Sequence, residues 1–422
     1  MTKLMRTLLA FTGVFMILGC HSKPHKADEP TTTRFPERIE SQKFNLDVFN
    51  ASFSTEIAKN PDRNVLIAPT SIKLAIGLLL LGAEGETESL LREVLGYQGV
   101  SKDEAAKDLS ALNSKLQSKA KKDSKIEFNI ANGLFLTGRS EVKKTYLKQA
   151  LSIFDARPMK VRSVEPINQW VSQKTKGRIP KILDALDVNT IIVLANALYF
   201  KGSWQKVYKK GKGSFTTSAH KALTNVEFAE NEPGEIFEEY GVVKSGSHEY
   251  AVLKKKYVRA DGAPALSMYF VLPPEGVSAN YVATQTIGSP AFWAEVDEKV
   301  VETQLNAVRF PIVELGSNID LKGAFMKMKS ASGQSLGQIF QIANLKAISD
   351  EADYVGQAKH RTFMRIDEKG TEAAAATAIT IVRTAIMDHP SFVVDRPYMI
   401  ALRDDDRGEF IFLGVINDPT AK

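Results

Sequence analysis

The run Thr190-Ile-Ile-Val-Leu-Ala-Asn-Ala-Leu-Tyr-Phe200 is apolar on both faces except at Asn196. A strand with one face in water alternates apolar and polar residues, so a segment without alternation belongs in the middle of a sheet covered on both sides. The chain must therefore lay other elements over both faces of this strand. Asn196 adds a second constraint. A buried amide without partners costs about 1 to 3 kcal/mol, so a polar cluster is expected around it.

The covering layers are legible in the order of the patterns. Phe44, Val48, Phe49, Phe53 and Ile57 recur at helical spacing and predict an amphipathic first helix. Thr70 or Ser71 is placed to cap a buried helix over Ile72 to Leu81, which Gly82 and Gly85 end. Glu86 to Leu95 starts another helix, and Asp103 to Lys122 predicts one more with a basic end. Strand-like runs follow at Ile126 to Leu136, Thr190 to Phe200, Ala265 to Leu272, Asn306 to Pro311, Thr362 to Ile366, Ser391 to Val394, Tyr398 to Leu402 and Phe410 to Ile416. Helices first and strands later argue an α+β fold with large antiparallel or mixed sheets. With 422 residues, 44% apolar and 25% charged, one large domain is expected.

The first residues are of another kind. Lys3 and Arg6 precede an apolar run from Leu8 to Leu18 and then Gly19-Cys20, the layout of a secretory signal. The run is too short to span a membrane. Ile17-Leu18-Gly19-Cys20 resembles a bacterial lipobox, in which the cysteine becomes the lipid-bearing first residue; a plain signal peptide is the alternative. Cys20 is the single cysteine, so stability must come from the core rather than from disulfides. His21 to Arg38, with Pro24, Pro30 and Pro36, reads as a tether. The expected division is 1–19 signal peptide, 20–38 tether and 39–422 folded domain. The mature chain is expected to be anchored by lipid to the cell envelope, at its periplasmic face or at the cell surface. A net charge of +6 reads as a solvated basic surface, with no nucleic-acid partner expected.

Catalytic patterns are missing. The chain has no nucleophile elbow, no Gly-rich phosphate loop, no paired-histidine zinc helix and no second cysteine. Of six histidines, His360 lies just before the Thr362 strand, where a general base is conceivable and a satisfied structural histidine is the plainer reading. No enzyme, metal or cofactor is expected.

Glu368 to Thr384 carries two propensities at once. Ala373, Ala374, Ala375 and Ala376 favour helix, whereas Thr377, Ile379, Thr380, Ile381 and Val382 favour strand. Such a segment fits an exposed loop that later slots between strands.

Ordered motifs now carry a family resemblance over nearly the whole mature chain. They are Asn64-Val65-Leu66-Ile67-Ala68-Pro69-Thr70-Ser71-Ile72, Leu81-Gly82-Ala83-Glu84-Gly85-Glu86-Thr87, and Ile167-Asn168-Gln169-Trp170-Val171 with Thr175-Lys176-Gly177-Arg178-Ile179. Further on come Asn196-Ala197-Leu198-Tyr199-Phe200-Lys201-Gly202-Ser203-Trp204, Asp395-Arg396-Pro397-Tyr398 and Phe412-Leu413-Gly414. In these the chain resembles the serpins. The resemblance implies a serpin fold of three β-sheets with eight or nine helices and an exposed reactive-centre loop over about 370–392. It implies a hinge at Glu368, Gly370, Thr371, Glu372, Ala373, Ala374, Ala375, Ala376 and Thr377, and a polar cluster under the main sheet formed by Ser71, Asn196 and His360. Three departures are Ala68 where the family usually has serine, Lys256 where proline is usual before Tyr257, and Asp418 inserted in the closing Asn-Pro.

If the loop enters a sheet, Thr371, Ala373, Ala375, Thr377, Ile379 and Ile381 share one face, and none of them is charged. About a dozen new ladder hydrogen bonds give on the order of 10 kcal/mol, comparable with a domain's stability of about 5 to 15 kcal/mol. The resemblance implies a suicide inhibitor of serine proteases, with a cysteine protease as a further candidate partner, acting as a monomer. A non-inhibitory binding or chaperone-like serpin is the alternative. Family spacing places the cut after Thr384, before Ala385. A cut after Arg383 fits a trypsin-like target and one after Thr384 an elastase-like target. Lys115, Lys119, Lys121, Lys122 and Lys125 form a candidate patch for anionic polysaccharide, against the plainer reading of lysines gathered at a helix C-terminus.

Overall fold

The computed structural model describes residues 38–421 apart from 118–125, 138, 140, 188, 233–235, 260–263 and 372–388. Ile192–Ser203 lies in the interior of a six-stranded sheet, flanked by Gln357–Ile366 on one side and Ile126–Leu136 on the other. Val313–Asp320 and Met159–Lys160 complete the row, and the short strand Gly370–Thr371 pairs with Ile192–Ser203 off that path. The apolar run is covered on both faces, as its lack of alternation requires. Ile192, Leu194, Leu198 and Phe200 join the main core. Val193, Ala195 and Ala197 face a second core built with Phe135, Ile167, Val171, Ile179 and Ile182. Gly133 lets that second layer close: a Cβ there would lie 2.8 Å from the Trp170 ring, which packs edge-on against Phe135 at 5.4 Å.

Helix Pro69–Gly82 runs beneath the main sheet with every residue buried. Its start differs from the sequence expectation. Ala68 is the capping residue, no side chain caps the helix, and Thr70 and Ser71 lie within its first turn. Their hydroxyls are drawn to tertiary partners instead: Thr70 donates to Phe410 O, and Ser71 meets Asn196. The first helix spans Arg38–Lys59 and the next ones after Pro69–Gly82 are Gly85–Val94 and Lys102–Gln117, so four helices precede the first long strand, Ile126–Leu136, and the remaining described helices are interleaved with the strands.

A seven-stranded sheet runs in the order Val65–Ile67, Glu409–Ile416, Tyr398–Asp404, Leu266–Leu272, His248–Lys256, Ile236–Ser245, Val301–Leu305. A four-stranded sheet follows Ser391–Val393, Ala307–Pro311, Ala222–Glu230, Lys209–Thr216. Among the described residues this makes nine α-helices and three sheets. Nine of the seventeen described strands escape the sequence reading, Val313–Asp320 and Lys209–Thr216 among them. The departures at Lys256 and Asp418 are absorbed locally. Lys256 pairs with Glu239 at 2.5 Å, and the Asp418 amide donates to Asn64 Oδ1 at 3.0 Å.

Candidate functional site

Three neighbouring strands bring one polar row together in the middle of the main sheet. Asn196 stands opposite Asn132 across an antiparallel pair and opposite His360 across a parallel pair. The amide nitrogen of Asn196 reaches Ser71 Oγ at 2.6 Å, Ser71 O at 3.0 Å and Asn132 Oδ1, while its oxygen meets Nδ1 of His360. Ala68 donates its amide to Nε2 of His360 at 3.0 Å. Nε2 is therefore an acceptor, Nδ1 carries the proton, and the ring is neutral. Burial holds its pKa down to about 3, against an ordinary value of 6.5. Ser71, Asn196 and His360, the residues expected to form the cluster, meet here. His360 lies inside the strand Gln357–Ile366, not before it as its flanking sequence implies.

Asn132 is a member that sequence reasoning missed. Ile126, Phe128, Ile130, Leu134 and Leu136 alternate along its strand, and Asn132 is the polar residue among them. The test that isolates Asn196 isolates Asn132 too. Alongside, Thr362 Oγ1 accepts from Ser317 N at 3.1 Å and donates to Leu66 O at 3.1 Å, and Ser317 Oγ accepts from Leu66 N at 2.8 Å. Side-chain hydroxyls thus tie the strand start at Val65 to the main sheet.

The second part of the site lies at one end of the same two parallel strands. Ile192–Ser203 and Gln357–Ile366 pair from Val193 opposite Gln357 to Phe200 opposite Met364, and the pairing stops there. The chain then turns back. Asp367 and Gly370 form an antiparallel bridge, and Gly370 and Thr371 lie antiparallel against Ser203 and Gly202. The turn is held from several sides. Asp367 Oδ1 accepts from Lys369 N at 2.9 Å and Gly370 N at 3.1 Å. Trp204 donates its indole N–H to Asp367 O at 3.0 Å and its backbone N–H to Lys369 O at 2.9 Å, and Tyr208 N–H donates to Glu368 O at 2.8 Å. The Trp204 ring stacks on Tyr257 at 4.3 Å. Gly370 sits at φ +146°, and a Cβ there would lie 2.1 Å from Gly202 O.

The structure therefore differs from an exposed loop starting at Gly370. Gly370 and Thr371 are already strand, because backbone groups of Gly202 and Ser203 beyond the end of the parallel ladder take them as partners. At the far end, Ser391–Val393 pairs in parallel with Ala307 to Arg309 in the small sheet. Glu372, Ala373, Ala374, Ala375, Ala376, Thr377, Arg383, Thr384 and Ala385 lie outside the described residues, as do Cys20, Lys119, Lys121, Lys122 and Lys125. Lys115 is described and is not a free basic contact. Its Nζ lies 3.2 Å from both Asp404 Oδ2 and Asp406 Oδ2, so its charge is matched within the fold.

Fold and site together define a three-sheet α+β protein whose main sheet parts at one end around the start of a further strand. The chain belongs to the serpin family: it matches the family model "Serpin (serine protease inhibitor)" over residues 40–419. It is 28% identical to neuroserpin of Homo sapiens over 432 residues, covering 97% of each chain, and 27% identical to serpin B9 of Homo sapiens over 377 residues, covering 85% and 94%. Among solved structures, the thermophilic serpin tengpin in its native state shares the fold at TM-score 0.74 and 24% identity, covering 90% of this chain and 94% of that one. Thyroxine-binding globulin in complex with thyroxine does so at TM-score 0.74 and 22% identity, covering 91% and 100%.

Proposed function

We propose that this protein is a serine-protease inhibitor that acts once, as a suicide substrate. The reading is carried by the strand start at Gly370–Thr371, seated antiparallel on Ser203 and Gly202 where the two central parallel strands part. Small residues follow it in the chain from Ala373 to Thr377. A strand that enters between two parallel strands replaces one parallel ladder with two antiparallel ones, the better-bonded arrangement.

A serine protease attacks a loop carbonyl, its Oγ becomes ester-linked to the loop, and the nitrogen of the next residue leaves as an amine. The hinge side of the cut loop then inserts, on the order of 10 kcal/mol downhill from about a dozen new hydrogen bonds. The ester-linked protease is carried along and its site is distorted before water releases it. The bond cut follows Arg383 or Thr384. Arg383 is preferred, because a buried contact between arginine and a carboxylate gives more specificity than a small side chain.

The protein is read as an inhibitor rather than an enzyme, and the neutral, fully buried His360 supports this. In the same reading residues 1–19 direct secretion, Cys20 carries lipid that tethers a monomeric inhibitor to a bacterial cell envelope, and 20–38 is its tether. In this reading anionic polysaccharide is met by Lys119, Lys121, Lys122 and Lys125, since Lys115 is paired with Asp404 and Asp406. The second reading is a non-inhibitory carrier, favoured by the likeness in fold to thyroxine-binding globulin.

Incubation with trypsin and with elastase separates the two. An inhibitor gives a complex that survives boiling in detergent, with the cut site read by mass. A carrier is cut in the loop without a complex and without a gain in heat stability.

A further inference from the structure

The turn that delivers Gly370 to the parted strands depends on one carboxylate. Asp367 Oδ1 accepts two successive main-chain amides, Lys369 N and Gly370 N, and so binds both ends of the turn to one side chain. The main chain of Asp367 closes the same turn, since Asp367 N donates to Gly370 O at 2.7 Å. Its second oxygen, Oδ2, is 3.6 Å from Arg365 Nε. Asp367 is buried, and the Trp204 indole holds its main-chain oxygen from the neighbouring strand. A charged acceptor bonded to backbone amides is stronger than a neutral one, and it fixes direction as well as distance. These contacts aim the first two loop residues at Ser203 and Gly202, the pair a strand entering between Ile192–Ser203 and Gln357–Ile366 meets first.

We propose that Asp367 is a positioning residue for loop insertion. By holding the 367–370 turn shut, it keeps the first strand pair made before any protease arrives, so insertion propagates from a seed and does not wait for one to form. Starting a new ordered segment is the costly step and extending it is easier. The inference rests on the inhibitory reading above. Its consequence is kinetic: each acyl-enzyme either hydrolyses or is trapped, and the seed favours trapping.

The test uses the full-length protein titrated against trypsin or elastase, whichever forms the complex, with cut chain and covalent complex quantified on a denaturing gel. Asp367→Ala removes the acceptor and is expected to raise the ratio of cut to complexed chain about tenfold. Asp367→Asn keeps an oxygen at the Oδ1 position and is expected to restore most of the trapping. Asp367→Glu keeps the charge but displaces it by one methylene, and is expected to behave like the alanine variant. It also serves should Asp367→Ala fail to fold, as judged by the urea midpoint of the uncut protein. An unchanged ratio in both Asp367→Ala and Asp367→Glu, alongside normal complex with the parent protein, overturns this inference and leaves the inhibitory reading standing. Equal loss in the asparagine and alanine variants overturns the acceptor role. A parent protein that forms no complex and gains no heat stability when cut overturns the inhibitory reading, and this inference with it.

Discussion

Ala68 donates its backbone amide to Nε2 of His360 at 3.0 Å, across a fully buried contact between a helix start and the main sheet. The amide belongs to the cap position of helix Pro69–Gly82, whose first N–H groups have no partner inside the helix. His360 supplies an acceptor there without a capping side chain. The contact is made by main chain and does not depend on the side chain at 68, and His360 is bonded at both ring nitrogens, one to Ala68 and one to Asn196. A second ring proton would set N–H against N–H.

Acid should therefore destabilise the fold through His360. Its folded pKa of about 3 lies below the ordinary value of 6.5, so between those pH values the unfolded chain binds a proton that the folded chain refuses. Stability is fully present above about pH 6.5 and falls by about 1.4 kcal/mol per pH unit as the pH drops toward the folded value. Urea midpoints at about pH 7 and about pH 5 should differ by roughly 2 kcal/mol from this group alone. His360→Gln should flatten the difference, and an equal slope in the variant would assign the acid sensitivity elsewhere.

The polar row should show graded costs. Asn196→Leu strips partners from His360, Ser71 and Asn132 together, and an unsatisfied buried group costs about 1 to 3 kcal/mol, so a loss of about 3 kcal/mol or more is expected. Asn132→Leu removes one bond at a less buried position and should cost about 1 kcal/mol. Urea melts of the two variants decide the order. The reverse order would make Asn132 the centre of the row.

Lys73 and Glu409 form a buried ion pair at 2.9 Å, with Asn45 donating to the carboxylate at 2.5 Å. Breaking one side of such a pair strands the other charge. Lys73→Met should cost about 3 to 5 kcal/mol, and adding Glu409→Gln should recover part of that loss, because the stranded carboxylate is removed. Strictly additive costs in a double-mutant cycle would show that the pair does not act as a unit.

How much of this was legible depends on what each residue does alone. The apolar run to Phe200 announced a strand covered on both faces, and Asn196 announced a polar cluster, because burial of each is a local contradiction visible in the sequence. The strands Lys209–Thr216 and Val313–Asp320 were not visible. Lys209, Lys210 and Lys212 carry charge on an edge, and Val313–Asp320 alternates but has Gly316, Ser317 and Asn318 in place of strong strand formers at its centre, so their pairing is fixed by the partner strands. Thr70 and Ser71 misled as caps, since a hydroxyl before an apolar run serves equally well as a tertiary partner. Asp367 left no signal at all: its role exists only once Trp204 and the parted strands surround the turn.

Gly370 should tolerate no side chain if the strand start matters. At φ +146° the backbone is in a region that glycine occupies easily, and a Cβ would stand 2.1 Å from Gly202 O and 2.7 Å from Ser203 Cα. Those atoms are backbone of a central strand and cannot give way, so Gly370→Ala must push the turn out of the sheet. The rest of the fold keeps its pairing, and the native protein should lose no more than about 1 to 3 kcal/mol, the usual scale of one strained residue. Trapping should fall much further than stability. In a titration against trypsin or elastase, Gly370→Ala should accumulate cut chain in place of complex, while its urea midpoint falls by no more than that loss implies. Full trapping by the alanine variant would show that insertion does not begin from the Gly370 pair with Ser203.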